Sequence, residues 1–194
     1  CIENDLGKLR NFYRLGVRSI TLAWNAASDW IDSHNDHVHG GLTDFGRGVV
    51  KEMQQLGMLV DISHVSDKAF WDVLETSQRP IFASHSCCRS LQNHTRNMTD
   101  DMILALSEAQ GVMNVNFVSG FVGGQPSSED EIPHKPDSAN MVDPFDLLTK
   151  KANGYSPPMD LLLDQFDLAI KLAGPESVGI GSDFDGASHF AAGL

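Results

Sequence analysis

The sequence has few cysteines, no long hydrophobic segment and few basic residues. Only 3 of its 194 residues are cysteine, and none stands in a CxxC pair, which excludes a disulfide framework and a structural zinc finger. No apolar run approaches the roughly 20 residues that a transmembrane helix needs. The 14 lysines and arginines are scattered among 26 acidic residues, with a formal net charge of −12. This balance argues against nucleic acid as a partner.

The sequence does contain a repeated alternation of short apolar runs with amphipathic segments, and 41% of its residues are hydrophobic. This composition is typical of a globular protein. The apolar runs predict six strands, at residues 1–3, 19–24, 58–64, 80–85, 112–117 and 178–183. Apolar residues at helical spacing predict five helices, at residues 6–15, 45–56, 66–76, 99–109 and 159–173.

Alternating strands and helices with short connections predict parallel strands and an α/β fold. Two architectures fit, an open doubly wound sheet and most of an eight-stranded barrel. Two loops are long, residues 25–42 and 118–158, and loops of this length are usually functional lids or disordered insertions. The first contains His34, His37 and His39, but we expect a flexible polar loop there and assign no metal to it.

Polar residues close three of the predicted strands and decide between the two architectures. His64 ends one apolar run and His85 ends the next, 21 residues later, which is about one short βα unit. Asp183 ends the last run. Side chains at the carboxyl ends of parallel strands meet at one edge, where barrel enzymes build their active sites. Because neutral imidazoles suit zinc and a buried carboxylate needs a partner, we predict part of a metal-hydrolase site in a (β/α) barrel.

Several motifs, in this order and spacing, resemble the membrane (renal) dipeptidase family of zinc metallopeptidases. The similarity runs over residues 3–186 and is weakest in 118–158. The motifs are GLTDFG at 41–46, VVKEMQQLGMLVDISHV at 49–65, FASHS at 82–86, Arg96-Asn97, and GSDFDG at 181–186.

The resemblance implies a (β/α)8 barrel of the TIM type with a binuclear zinc centre. It implies zinc-dependent hydrolysis of dipeptides by a hydroxide that bridges the two metal ions. Three residues of this sequence match the family's metal ligands: Glu3 as the bridging ligand, and His64 and His85 on the second zinc. A dipeptide is therefore the expected partner. Whether the protein forms a homodimer is left open.

The resemblance also implies roles in substrate binding and catalysis. Arg96 matches the arginine that holds the substrate carboxylate, and Asp183 matches the aspartate that handles protons and binds the substrate amine. Trp24 departs from the family pattern, because many members have a histidine at that position to stabilise the tetrahedral intermediate. Tryptophan offers an N–H donor and a stacking face but no positive charge, so Trp24 is expected to alter substrate binding.

The six predicted strands match the family's third to eighth strands. We therefore expect residues 1–194 to form a single catalytic barrel domain that is incomplete at both ends. The His-x-Asp pair of the first zinc site has no counterpart before Glu3, so we expect little activity from this chain alone. Two alternatives stay open: an inactive barrel fragment that serves as a binding or structural module, and a related amidohydrolase acting on lactones, N-acyl amino acids or β-lactams.

Overall fold

A five-stranded parallel sheet forms the centre of the protein, whose computed structural model describes residues 2–123 and 156–194. Each strand pairs with the next one in the chain, in the order β1-β2-β3-β4-β5. A doubly wound sheet would reverse this order at a switch point. The sequential order therefore confirms the predicted α/β fold and fits five strands of a barrel. The strands are β1 (Ser19–Thr21), β2 (Leu59–Asp61), β3 (Phe82–Ser86), β4 (Val112–Val115) and β5 (Val178–Ile180).

The helices form a layer beside the sheet, in which α1 packs on α2, α2 on α3, α3 on α4, and α4 on α6. All five predicted helices are confirmed to within one residue at each end, and α5 is an additional short helix. Within residues 2–123 and 156–194, no helix is long and apolar enough to cross a bilayer. The helices are α1 (Leu6–Arg14), α2 (Asp44–Leu56), α3 (Asp67–Thr76), α4 (Asp100–Glu108), α5 (Ser119–Val122) and α6 (Met159–Ala173).

Capping residues fix where the first four helices begin. In each case a side-chain oxygen accepts a hydrogen bond from a backbone N–H of the first turn, which would otherwise have no partner. The caps are Asp5, Thr43, Ser66 and Thr99. At the other end of α2, Gly57 adopts a φ of 80° and stops the helix. These local signals explain why the helix bounds could be predicted so closely.

The strands are shorter than predicted, and the predicted strand at residues 1–3 is wrong. Cys1 lies outside the described residues, Ile2 has no regular structure, and Glu3 and Asn4 form a turn with φ values of 48° and 56°. His64 and Asp183 have φ values of 71° and 60°. Such left-handed backbone cannot continue an extended strand, so β2 and β5 end three residues before these side chains.

The long loop at residues 25–42 is packed into the protein, unlike the flexible loop expected from its polar sequence. Asp32 and His34 are buried there, and the Asp32 carboxylate accepts hydrogen bonds from the N–H groups of Val38, His39 and Gly41 at 2.7–2.8 Å. Burial raises the pKa of Asp32, but these three donors outweigh it and hold the pKa below its ordinary value. Of the other long loop, residues 124–155 lie outside the described part.

A second buried carboxylate, Asp72 on α3, joins three segments of the helical layer. Its oxygens accept hydrogen bonds from the Leu42 N–H at 3.0 Å and from Arg47 on α2 at 3.1 Å, and it forms an ion pair with Lys68. Burial acts to raise the pKa of Asp72, but Lys68, the Leu42 N–H and Arg47 together hold it below its ordinary value. Asp72 therefore stabilises the folded state in its charged form.

Asp72→Asn should lower the free energy of unfolding at pH 7 by about 1–3 kcal/mol, because charge-assisted hydrogen bonds are lost. A carboxyl group whose pKa is depressed in the folded state stabilises the protein above its unfolded pKa of about 4, and this contribution is lost as the pH falls through the folded pKa. The difference between wild type and variant should therefore shrink in urea denaturation at pH 3. Asp101→Asn, at an exposed carboxylate of α4, is the control. An equal difference at both pH values would contradict this account.

Candidate metal centre

His64 and His85 meet at the carboxyl end of the sheet, as their spacing predicts. The Nε2 atoms of the two rings are 2.9 Å apart, and the ring centroids are 4.9 Å apart in an edge-on arrangement. His85 lies within β3, whereas His64 follows β2 in a turn. The two imidazoles therefore direct one nitrogen each toward a common point.

The backbone explains why His64 can reach this point. Its φ of 71° turns the chain out of the strand direction immediately after β2, and histidine is one of the few residue types enriched in this conformation. The His64 carbonyl accepts a hydrogen bond from the His34 N–H at 2.8 Å, and Ser33 pairs with Val65. The packed loop at residues 25–42 therefore holds the turn in place.

Both imidazoles are neutral at physiological pH. Burial, followed by the nearby positive charge of Arg96, lowers the pKa of His64 and of His85 below the ordinary value. Neutral imidazole is the form that donates a lone pair to a metal ion. The pair is therefore in the protonation state that a cation site requires.

Asp183 lies at the same edge of the sheet and lines the same cavity as the two histidines. The Asn116 side-chain N–H group donates to the Asp183 carboxylate at 3.3 Å. Gly186 approaches the carboxylate so closely that an added Cβ would lie 2.1 Å from an Asp183 oxygen. Asn116 and Gly186 therefore lie against the carboxylate, and a larger side chain at position 186 would push it from this position.

Arg96 is buried behind this edge, with its side chain against His85 and Phe121. Its guanidinium donates to the His85 carbonyl at 3.2 Å and lies 5.4 Å from the centre of the Phe121 ring. Burial lowers the pKa of Arg96 to about 10, while Asp183 and Asp61 act in the opposite direction. The guanidinium therefore stays charged at neutral pH, and its Nε atom has no hydrogen-bond partner among the described residues.

A cavity of about 520 Å³ opens beside the histidine pair. Trp24, His64, His85 and Asp183 line it, and Trp24 is 61% exposed. The structure thus brings together four of the six residues predicted from sequence around one cavity, with Arg96 directly behind them.

Glu3 is the exception, because its side chain is not in this cluster. It lies on the surface in an ion pair with Lys8, and 76% of the side chain is exposed. Within residues 2–123 and 156–194, no group of three or more His, Cys, Asp or Glu side chains is arranged to hold a metal ion. His64 and His85 form a pair of donors, and the role of Glu3 as a ligand stays a prediction.

Several polar residues near the candidate site were not assigned a role from sequence. Asp61 and Ser84 lie beneath His85, and Asn116 contacts Asp183. His34 is buried near His64, and His94 is buried near His34; burial lowers the pKa of His34 to about 2 and that of His94 to about 4. One available signal was an aspartate in the middle of the apolar run at residues 58–64, since a buried carboxylate requires partners.

Comparison with known proteins gives consistent matches along the whole chain. The family model described as "Membrane dipeptidase (Peptidase family M19)" matches residues 1–194. Dipeptidase verJ of Clonostachys rogersoniana is 36% identical in a match over 195 residues, which covers 100% of this chain and 42% of that protein. Dipeptidase 3 of Mus musculus is 32% identical over 199 residues, covering 100% of this chain and 34% of that protein. This chain therefore spans well under half the length of these two relatives.

Solved structures also match nearly the whole chain. A metallopeptidase from Rhodobacter sphaeroides, solved with a phosphinate mimic of the dipeptide L-Ala-D-Ala, has a TM-score of 0.78 and 27% identity, over 98% of this chain and 49% of that one. The probable dipeptidase PvdM from Pseudomonas aeruginosa has a TM-score of 0.81 and 24% identity, over 97% and 56%, which supports the fold alone. With strands, site motifs and comparisons in agreement, the chain belongs to the membrane dipeptidase family, peptidase family M19.

Proposed function

We propose that the protein is a zinc-dependent dipeptidase and that His64 and His85 hold one zinc ion through their Nε2 atoms. The observation that carries this proposal is the 2.9 Å approach of the two ring nitrogens at the carboxyl end of the sheet. Two neutral imidazoles so close together must share either a proton or a cation. Zinc accepts imidazole nitrogen readily and keeps an open position in catalytic sites.

The surrounding residues fit the hydrolysis of a short peptide. Zinc, when bound, would polarise the scissile carbonyl and lower the pKa of a water molecule. The Asp183 carboxylate, oriented by Asn116, would accept a proton from this water molecule and deliver it to the leaving amine nitrogen. The Arg96 guanidinium would bind the substrate's terminal carboxylate, which restricts the site to short peptides.

The dipeptide as substrate is supported by the relatives as well as by this cavity. The Rhodobacter sphaeroides metallopeptidase binds a mimic of L-Ala-D-Ala, and we propose the same substrate class for this protein. Trp24, exposed at the rim of the cavity, would contact the substrate through its indole N–H or its ring face. It cannot supply the positive charge that a histidine could offer there.

A second zinc ion is part of the proposal, with Glu3 as the bridging ligand. For this role the Glu3 side chain has to exchange its ion pair with Lys8 for the metal. The hydrogen bond from Lys8 and its positive charge lower the pKa of Glu3, so the carboxylate is already in the charged form that a metal requires. We propose residues 1–194 as a part of one catalytic barrel domain.

Replacing either histidine should weaken zinc binding. His64→Asn and His85→Asn should each reduce zinc affinity roughly 100-fold, because each removes one of the few ligands among which the binding free energy is divided. Competition with a chromophoric chelator measures the affinity. His37→Asn, at an exposed histidine, is the control and should bind zinc as the wild type does.

The zinc content also separates the candidate functions. Two zinc ions per chain together with cleavage of simple dipeptides would support the dipeptidase. One ion or none, without cleavage, would support an inactive barrel that serves as a binding module. Equal zinc affinity in wild type, His64→Asn and His85→Asn would contradict the proposed site.

Arg96→Lys should raise KM for a dipeptide about 10–100-fold, because lysine cannot donate two parallel hydrogen bonds to a carboxylate. The matched substrate is the same dipeptide with a C-terminal amide, for which the wild type should already have a high KM. Steady-state kinetics on both substrates should therefore show that the variant no longer distinguishes them. An equal loss on both substrates, or a lactone hydrolysed equally well by wild type and variant, would argue for a different amidohydrolase activity.

A further inference from the structure

The Asp61 carboxylate lies in the sheet beneath the histidine pair and is 2% exposed. It accepts four hydrogen bonds, all of 3.0 Å or less. One oxygen accepts from the backbone N–H groups of Ser63 and Ser84, and the other from the hydroxyl groups of Thr21 and Ser84. The carboxylate is therefore fully satisfied and links β1, β2 and β3.

The hydroxyl group of Ser84 has only one proton, and this geometry determines where it goes. The Ser84 Oγ atom lies 2.6 Å from an Asp61 oxygen, 3.2 Å from the Ser63 Oγ atom and 2.7 Å from the His85 Nδ1 atom. An ionised carboxylate can only accept, and a charge-assisted hydrogen bond is stronger than a neutral one. Ser84 therefore donates to Asp61 and can only accept from His85.

The tautomer of His85 follows from this arrangement. Its Nδ1 atom must carry the proton that is donated to Ser84, and its Nε2 atom is then an unprotonated lone pair. That lone pair faces His64 Nε2 at 2.9 Å. The His85 backbone N–H also donates to the Ser63 Oγ atom at 3.0 Å. The hydroxyl groups of Ser63 and Ser84 therefore fix the backbone and the ring of His85, respectively.

We propose that Asp61 and Ser84 are positioning residues that hold His85 in the Nδ1-protonated tautomer, with its Nε2 lone pair directed at the cation site. The inference rests on the proposed function for the identity of the ion. The tautomer itself follows from the hydrogen bonds and does not require a metal. A carboxylate that orients a ligand histidine through a hydrogen bond raises the affinity of a metal site.

His64 provides an internal contrast. Its Nδ1 atom is buried and has no hydrogen-bond partner among the described residues. The two histidines are therefore held differently. The pair of hydrogen bonds from His85 to Ser84 and from Ser84 to Asp61, called the relay below, fixes His85, whereas the backbone turn fixes His64. The relay therefore acts on His85 and not on His64.

A substitution at Thr21 distinguishes an effect of the relay on His85 from a structural role of Asp61. Its hydroxyl group donates to the same Asp61 oxygen at 2.6 Å as Ser84 does, but no hydrogen bond joins it to His85. Ser84→Ala and Thr21→Val each remove one hydroxyl donor from that oxygen. Only the first removes the acceptor of His85 Nδ1.

The first test uses the protein after removal of metal by a chelator. Nitrogen-15 NMR of the histidine rings should show His85 protonated at Nδ1 and unprotonated at Nε2 in the wild type and in Thr21→Val. Ser84→Ala should give a mixture of tautomers, and Ser84→Thr, which restores a hydroxyl group, should return the wild-type pattern. A wild-type His85 protonated at Nε2 would overturn the proposal.

The second test measures zinc affinity in the same variants. Ser84→Ala should bind zinc about 10–100-fold more weakly, as expected for loss of a partner of a ligand histidine, while Thr21→Val stays close to the wild type. Equal losses in both variants would assign Asp61 and Ser84 a structural role only and overturn the proposal. If the wild type binds no zinc, the proposed function fails, while the NMR result still decides the tautomer.

Discussion

Parallel pairing of each strand with the next one in the chain is the constraint on which the rest of this structure depends. All five strands run in the same direction and in chain order, so the residues at the carboxyl ends of β2, β3 and β5 reach one edge of the sheet. His64, His85 and Asp183 are far apart in sequence and meet there for that reason. The helices support this arrangement from outside by forming one layer along the sheet.

Buried carboxylates are the second organising element, and each is stabilised by a different set of donors. Asp32 uses backbone N–H groups within one loop, and Asp72 uses two side-chain cations and an N–H group. Asp61 uses two N–H groups and two hydroxyl groups, which come from β1, β3 and the turn after β2. Among the three, Asp61 has the partner that contacts a histidine of the candidate site.

The helices and the meeting of His64 with His85 could be predicted from sequence because their signals are local. Capping residues such as Ser66 and Thr99 mark where a helix begins, and a 21-residue spacing marks one βα unit. The strand bounds and the position of Glu3 could not be predicted, because they depend on backbone dihedral angles and on pairing partners distant in sequence. The hydrogen-bond partners of Asp61 could not be predicted either, because hydrogen bonds between strands produce no periodic pattern in the sequence.

The left-handed turn at His64 determines what a substitution there can report. Few non-glycine residues adopt a φ of 71° without strain, and asparagine is among them. Replacement by a β-branched residue would remove the imidazole and also force the backbone out of its turn, shifting the chain that contacts residues 25–42. Any loss measured for such a variant would combine a missing nitrogen with a displaced loop. A substitution at position 64 therefore tests the proposed ligand role of the imidazole only when the replacement tolerates the same backbone, which makes asparagine and glycine the informative choices.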